Sequence, residues 1–226
     1  MHTLWYPLLI LSILFVAVAF LGSETPSARG FYYAVWLGIM AMFWRRRESF
    51  ARIFQSSPWG SGVTFIVLGW FMIGLEETLA GVAVNILQVT DVFSLLAILP
   101  QYYANNFFLL SGFLVAWYIL LRCYSYSQKE VFILVGLFGL FSEKIYVHVL
   151  SIPLLGIPLI LPTMFTYMGI IAPSILSLKE TGNRTLPPLV RYTVGMLFPL
   201  VVSMPFFLMH QWLTSLGFID PTILTR

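Results

Sequence analysis

The 226-residue chain is 59% hydrophobic and only 9% charged, with a mean hydropathy of +0.90, whereas a soluble domain carries about 25% charged residues. That leaves too little polar surface to meet water on all sides, which excludes an ordinary soluble globular fold. The net charge of +3 does not point to nucleic acid, because Lys and Arg sit in short stretches between apolar runs, where they record membrane topology.

Several apolar runs approach the ~20 residues that cross a bilayer as helix, and the period-2 pattern of an outer-membrane barrel is absent. The expected fold is all-α: a polytopic integral membrane helical bundle of about seven transmembrane helices, in a single domain over residues 1–226. Cys123 is the only cysteine, so neither an internal disulfide nor a cysteine metal cluster is expected.

The first run, residues 4–21, reads as a retained helix: only His2 precedes it among polar ionisable groups, and Ala19-Phe20-Leu21-Gly22-Ser23 is a poor cleavage site. A polar turn with Pro26 leads to the second run, 31–43. Arg45, Arg46, Arg47, Glu48 and Arg52 then read as a short amphipathic helix on the cytoplasmic face. The third run, 62–87, carries Glu76 and Glu77. Asp91 to Pro100 is expected as a re-entrant or surface helix, and Gln101-Tyr102-Tyr103-Ala104-Asn105-Asn106 as an interfacial belt.

The fourth run, 107–121, ends at Arg122, and the fifth spans 131–150. Ser151-Ile152-Pro153 turns the chain into the sixth, 154–178, with Pro158, Pro162 and Pro173. The seventh, 189–213, carries Pro199 and Pro205. With loops alternating sides, Arg45, Arg46, Arg47, Arg52, Arg122, Lys129, Lys179, Arg184 and Arg191 share the side of the N-terminus, leaving Arg29 and Arg226 opposite. The positive-inside rule then puts the N-terminus in and the C-terminus out, in a multi-pass protein of a prokaryotic plasma membrane.

Helical spacing groups the polar residues into stripes. Gly74, Glu77, Gly81, Asn85 and Gln88 share a face of the third span. On the fifth, Gly136, Gly139, Glu143 and Tyr146 share one face, and Lys144 and His148 the next. Tyr192, Gly195, Pro199, Ser203 and His210 form a stripe on the seventh. Counting about 1.5 Å per residue puts Glu76, Glu77, Glu143, Lys144, Thr166, Tyr167 and Ser203 near the midplane, with His148, His210, Gln211, Asn85, Asn105 and Asn106 in the outer half. A polar cavity between the third, fifth, sixth and seventh spans is the expectation.

An ionisable group near the bilayer centre costs roughly 2.5–3.5 kcal/mol, so it is kept where it has a partner or a task. Lys144 could lock the bundle through an ion pair with Glu76 or Glu77. One lysine cannot neutralise three carboxylates, however, so at least one of Glu76, Glu77 and Glu143 is expected to hold a proton and to serve as a donor. His148 and His210 read either as interfacial side chains or as a proton relay. Neither a His-x3-His pair nor a His-Glu-x2-His motif supports a metal, and no phosphate loop, Gly-x-Ser-x-Gly elbow or dinucleotide fingerprint is present, so no cofactor is expected.

Gly156-Ile157-Pro158-Leu159-Ile160-Leu161-Pro162, followed by Phe165 and Met168, resembles the Gly-Val-Pro-Leu-x-x-Pro segment of membrane carotenoid hydratases, where a glutamate-bearing helix precedes it as Glu143 does here. Glu76-Glu77 is similar in type to the acidic pairs of small membrane lycopene cyclases. The resemblance covers residues 143–168 and implies acid catalysis on a long polyene: a buried carboxylic acid protonates a double bond, and water or an internal alkene captures the cation.

The resulting expectation is a membrane enzyme acting on a lipid or isoprenoid of carotenoid type. Glu143, Glu76 or Glu77 would be the general acid, Lys144 would tune it, and His148 or His210 would relay protons. Asn85, Tyr146, Tyr167 and Ser203 would line the substrate. Expected partners are a membrane lipid or hydrophobic small molecule, with another membrane protein as a further candidate and no nucleic acid. Two alternatives from other classes stay open, a proton-coupled transporter and a non-catalytic membrane subunit or assembly partner.

Overall fold

The computed structural model describes residues 5–21, 28–85, 92–151 and 153–220. Among them the chain is helical, with no strand and a single isolated bridge between Tyr124 and Arg184. An apolar chain of this kind has few side chains able to satisfy backbone groups, and the helix satisfies them within the segment. In order the helices are α1 (Trp5–Leu21), α2 (Ala28–Arg45), α3 (Arg47–Gln55), α4 (Ser61–Asn85), α5 (Val92–Cys123), α6 (Gln128–Ser142), α7 (Ile145–Ser151), α8 (Pro153–Gly156), a 3-10 turn (Ile157–Leu159), α9 (Ile160–Ser177) and α10 (Pro188–Ser215). Among the described residues four stretches, Ser61–Ala83, Leu96–Cys123, Ile157–Ser177 and Pro188–Ser215, are long and apolar enough to cross a membrane, and α6 with α7 would make a fifth if the bent pair is one span.

The chain separates into two compact units, one of residues Met1–Phe50 and Ser127–Ile170, the other of Ala51–Tyr126 and Ile171–Arg226. In the first, α1 and α2 pack through Leu9, Val16 and Leu37, with Tyr33 and Phe165 against them. The start of α9 is tied to α2: Trp36 Nε1 donates to Thr166 O at 3.4 Å, and the Tyr33 and Thr163 hydroxyls pair at 3.2 Å. α6 begins with a capping box, the Ser127 hydroxyl accepting from Glu130 N and the Glu130 carboxylate from Ser127 N. Small residues let α6 and α9 approach closely, since a Cβ on Gly136 would fall 2.6 Å from the Met164 side chain and one on Gly139 would enter the Tyr167 ring.

In the second unit α5 lies between α4 and α10. Gly62 faces Tyr118, Gly69 faces Leu114 and Gly81 faces Leu99, so α4 runs antiparallel to α5. Gly112 faces Ser203, and the Tyr126 hydroxyl donates to Arg191 O at 3.1 Å, so α10 is antiparallel to α5 as well. Phe113, Leu114 and Trp117 are fully buried in this seam, each worth about 1.5–3 kcal/mol of transfer free energy. The stretch 178–187 is fastened beneath the C-terminus of α5 by Gly182 N to Leu121 O (2.7 Å), Ser125 N to Arg184 O (2.9 Å) and Arg122 Nη1 to Glu180 O (3.2 Å). Gln55 Nε2 donates to Leu176 O and Leu178 O at 3.0 and 3.2 Å. One end of this unit therefore gathers Arg52, Arg122, Lys179, Arg184 and Arg191; the other holds Gln101, Asn105, His210 and Asp220.

Three expected boundaries change. The surface helix up to Pro100, the amide belt and the fourth run are one 32-residue helix, α5, with Pro100 inside it. A proline removes one ladder hydrogen bond, which apolar surroundings tolerate when neighbours compensate. The run 131–150 is two helices, α6 and α7, bent by 71° at Glu143 and Lys144. The sixth run opens with a short helix and a 3-10 turn because Pro153, Pro158 and Pro162 each withhold a backbone donor, and α9 proper starts at Ile160. Gln88, Asp91 and Arg226 lie outside the described residues, as do the side chains of Asn85 and Arg29.

Candidate functional site

Glu143 stands where α6 stops. Its N–H still closes the helix on Gly139 O at 2.9 Å, and Lys144 N reaches Phe141 O at 3.1 Å. Lys144 then takes φ = +53°, a left-handed conformation that disfavours a side chain by roughly 1–2 kcal/mol, and α7 departs from Ile145. The periodicity that would put Gly136, Gly139, Glu143 and Tyr146 on one face thus ends at Ser142. Glu143, Lys144, Tyr146 and His148 are exposed on the surface of their unit, which corrects the expectation of groups inside one unbroken span.

The Glu143 carboxylate is nonetheless held. Tyr167 Oη, on α9, donates to Glu143 Oε1 at 2.9 Å. The contact depends on Gly139, one turn before the carboxylate: without a Cβ there, the Tyr167 ring lies flat against α6 and its hydroxyl reaches the helix end. Phe138 packs on the same ring with centroids 6.2 Å apart, and Tyr167 is buried. One carboxylate oxygen is therefore fixed from inside the unit. Tyr167, expected to line a substrate, is the hydrogen-bond partner of the Glu143 carboxylate.

In the second unit Glu77 is buried at 4% exposure on α4, beside half-buried Glu76. One turn further on, Gly81 packs against Leu99 and Tyr102 of α5. Next to Glu77, the Thr78 hydroxyl donates to Gly74 O at 2.6 Å and pairs with Tyr103 Oη at 2.7 Å. On α10, Gly195, Pro199, Ser203 and His210 are the buried residues, the expected stripe less half-buried Tyr192. His210 Nε2 lies 3.3 Å from Asn105 Oδ1, while Asn105 Nδ2 donates to Gln101 O (2.9 Å) and Asp220 O (3.2 Å), and Gln101 Oε1 accepts from Asp220 N (3.0 Å).

The structure joins Glu143 with Tyr167 in one unit and His210 with Asn105 in the other. Glu76, Glu77 and Ser203 belong to the second unit, and Lys144, Tyr146 and His148 to the first. Asn85 closes α4. The sequence put Asn105 and His210 in the same outer half but read Gln101 and Asn105 as interfacial and missed their pairing: only the antiparallel return of α10 brings Asp220 and His210 to them. Among the described residues no group of three or more His, Cys, Asp or Glu gathers to hold a metal ion. No family model, curated protein or solved structure matches the chain.

Proposed function

We propose that this protein is a multi-pass integral membrane enzyme that acts on a lipid or isoprenoid, of carotenoid type, by acid catalysis from Glu143. The observation that carries the reading is the Tyr167 Oη to Glu143 Oε1 hydrogen bond of 2.9 Å at an exposed helix break. With Oε1 fixed, Oε2 is the oxygen that carries the proton to the substrate. The proton passes from Oε2 to one carbon of a double bond, whose electron pair forms the new C–H bond and leaves a cation on the neighbouring carbon. Tyr167 stabilises the carboxylate left behind. Water captures the cation and returns a proton to the carboxylate, or an internal alkene closes on it and a proton is lost from the ring.

In this reading the chain crosses the prokaryotic plasma membrane about seven times, N-terminus in and C-terminus out. Support comes from the second unit, whose Arg52, Arg122, Lys179, Arg184 and Arg191 collect at one end as the positive-inside rule expects. Lys144, next to Glu143 in the chain, is its electrostatic neighbour and His148 on α7 the proton relay of this reading, and Glu77 is the second candidate acid. A positioned general acid contributes about 10²–10⁴-fold. Lipid extracts of membranes carrying Glu143→Gln should lose the product by that factor at unchanged expression; full product from Glu143→Gln would end the role of this carboxylate, and full product from Glu77→Gln as well would end acid catalysis altogether.

The bend of 71° between α6 and α7 favours one other reading, a proton-coupled carrier, because discontinuous helices carry the ion and substrate sites of such proteins. It predicts pH-driven uptake into proteoliposomes with the lipid composition unchanged.

A further inference from the structure

His210 is more than nine-tenths buried in the seam of α5 and α10, and its hydrogen-bonding state can be derived atom by atom. Asn105 Nδ2 lies within hydrogen-bond distance of two backbone carbonyls, Gln101 O and Asp220 O. Carbonyl oxygens only accept, so the amide nitrogen must face them and the amide oxygen must face the imidazole. Asn105 Oδ1 also only accepts, so the contact at 3.3 Å requires the proton on His210 Nε2. In the neutral ring Nδ1 is then a bare lone pair. The imidazolium would put a charge and a second N–H donor in the same buried place, at greater cost.

Among the described residues His210 Nδ1 is buried with no hydrogen-bond partner. Two turns earlier on the same face, the Ser203 hydroxyl is equally buried and also without one. An acceptor of this kind, left unsatisfied, carries the full penalty of its lost hydration. The amide that locks the ring is held by the Gln101 backbone carbonyl, which is there with any side chain at 101, and Gln101 Oε1 adds a separate tie to Asp220 N. The lone pair is therefore presented in one orientation.

We propose that the Asn105–His210 pair is an acceptor site for an O–H donor in the α5/α10 seam, with Asn105 the positioning residue that sets the tautomer and His210 Nδ1 the atom that receives the hydrogen bond. The donor is either a water molecule or the hydroxyl of an amphiphile. The inference uses only the second unit and stands or falls separately from acid catalysis at Glu143.

The test is nitrogen-15 solid-state NMR of the full-length protein, labelled at histidine and held in phosphatidylcholine vesicles with long-chain alcohol added to half of them. His210 is assigned by difference from His210→Gln. The expected spectrum has a protonated Nε2 and an unprotonated Nδ1 that receives magnetisation from water protons, or from the alcohol where that displaces water. Asn105→Leu should lose the single tautomer, and Gln101→Met, which removes Oε1 but keeps the backbone carbonyl that accepts from Asn105, should retain it. A protonated Nδ1 in the wild type, an Nδ1 that no water or alcohol proton reaches, or an unchanged tautomer in Asn105→Leu would each overturn the proposal. Loss of the tautomer in Gln101→Met would do so as well, by making the Gln101 side chain and not Asn105 its cause.

Discussion

Glu143 and His210 are exposed to chemistry in opposite ways. In the first unit the helix stops, Lys144 goes left-handed, and the carboxylate is set on the surface with a single buried tyrosine behind it. In the second, the helices run on unbroken past Glu77 and His210, and polar groups are accommodated by partners on a neighbouring helix and on the segment after α10. The first arrangement gives access and sacrifices backbone regularity. The second keeps the regularity and gives fixed orientation, so a perturbation of seam packing should injure the second site far more than the first.

The largest stability effect is expected at that seam. A Cβ on Gly112 would fall 2.6 Å from Ser203 Cα, a backbone atom that cannot swing aside, so Gly112→Val should cost about 3 kcal/mol. Thermal unfolding in detergent should show it, with the His210 tautomer lost and the Tyr167 contact intact. Next is Tyr167→Phe, which removes a hydrogen bond to a carboxylate worth about 1.5–3 kcal/mol. Product formation should fall about 10- to 100-fold, and stability should fall by no more than that bond, because the ring and its packing on Gly139 remain.

Ser174→Ala removes a buried hydroxyl that donates to Phe65 O at 2.7 Å and should lower stability by about 1 kcal/mol without touching activity. Smallest is Lys144→Gly, which relieves the left-handed strain and should raise stability by about 0.5–1 kcal/mol. If it lowered stability instead, the break would have to be held by the lysine side chain and not merely tolerated by it.

The helical, membrane-length character of the chain was legible because it follows from composition and run length alone. The buried stripe of α10 was legible for a related reason: Gly195, Pro199, Ser203 and His210 stay in phase along an unbroken helix, so spacing alone gives the face. The break at Glu143 was not, since Ser142-Glu143-Lys144 contains neither glycine nor proline and the flanking apolar residues continue without interruption. Pro100 misled in the opposite direction, marking an end where α5 continues. Gln101 and Asn105 look interfacial by residue type, and their role arises from contacts across more than a hundred positions of chain, for which the local sequence carries no signal. Gly139 beside Glu143 was visible as a small residue on the acid's face, but the aromatic ring it admits comes from α9.

The most direct measurement of acid catalysis at Glu143 follows the proton itself. Membranes containing the protein, incubated with isoprenoid substrate in heavy water, should yield product bearing one deuterium on carbon, and Glu143→Gln membranes should yield neither product nor label. Product that forms in heavy water without carbon-bound deuterium, or labelled product at undiminished level from Glu143→Gln, would contradict proton donation from this carboxylate.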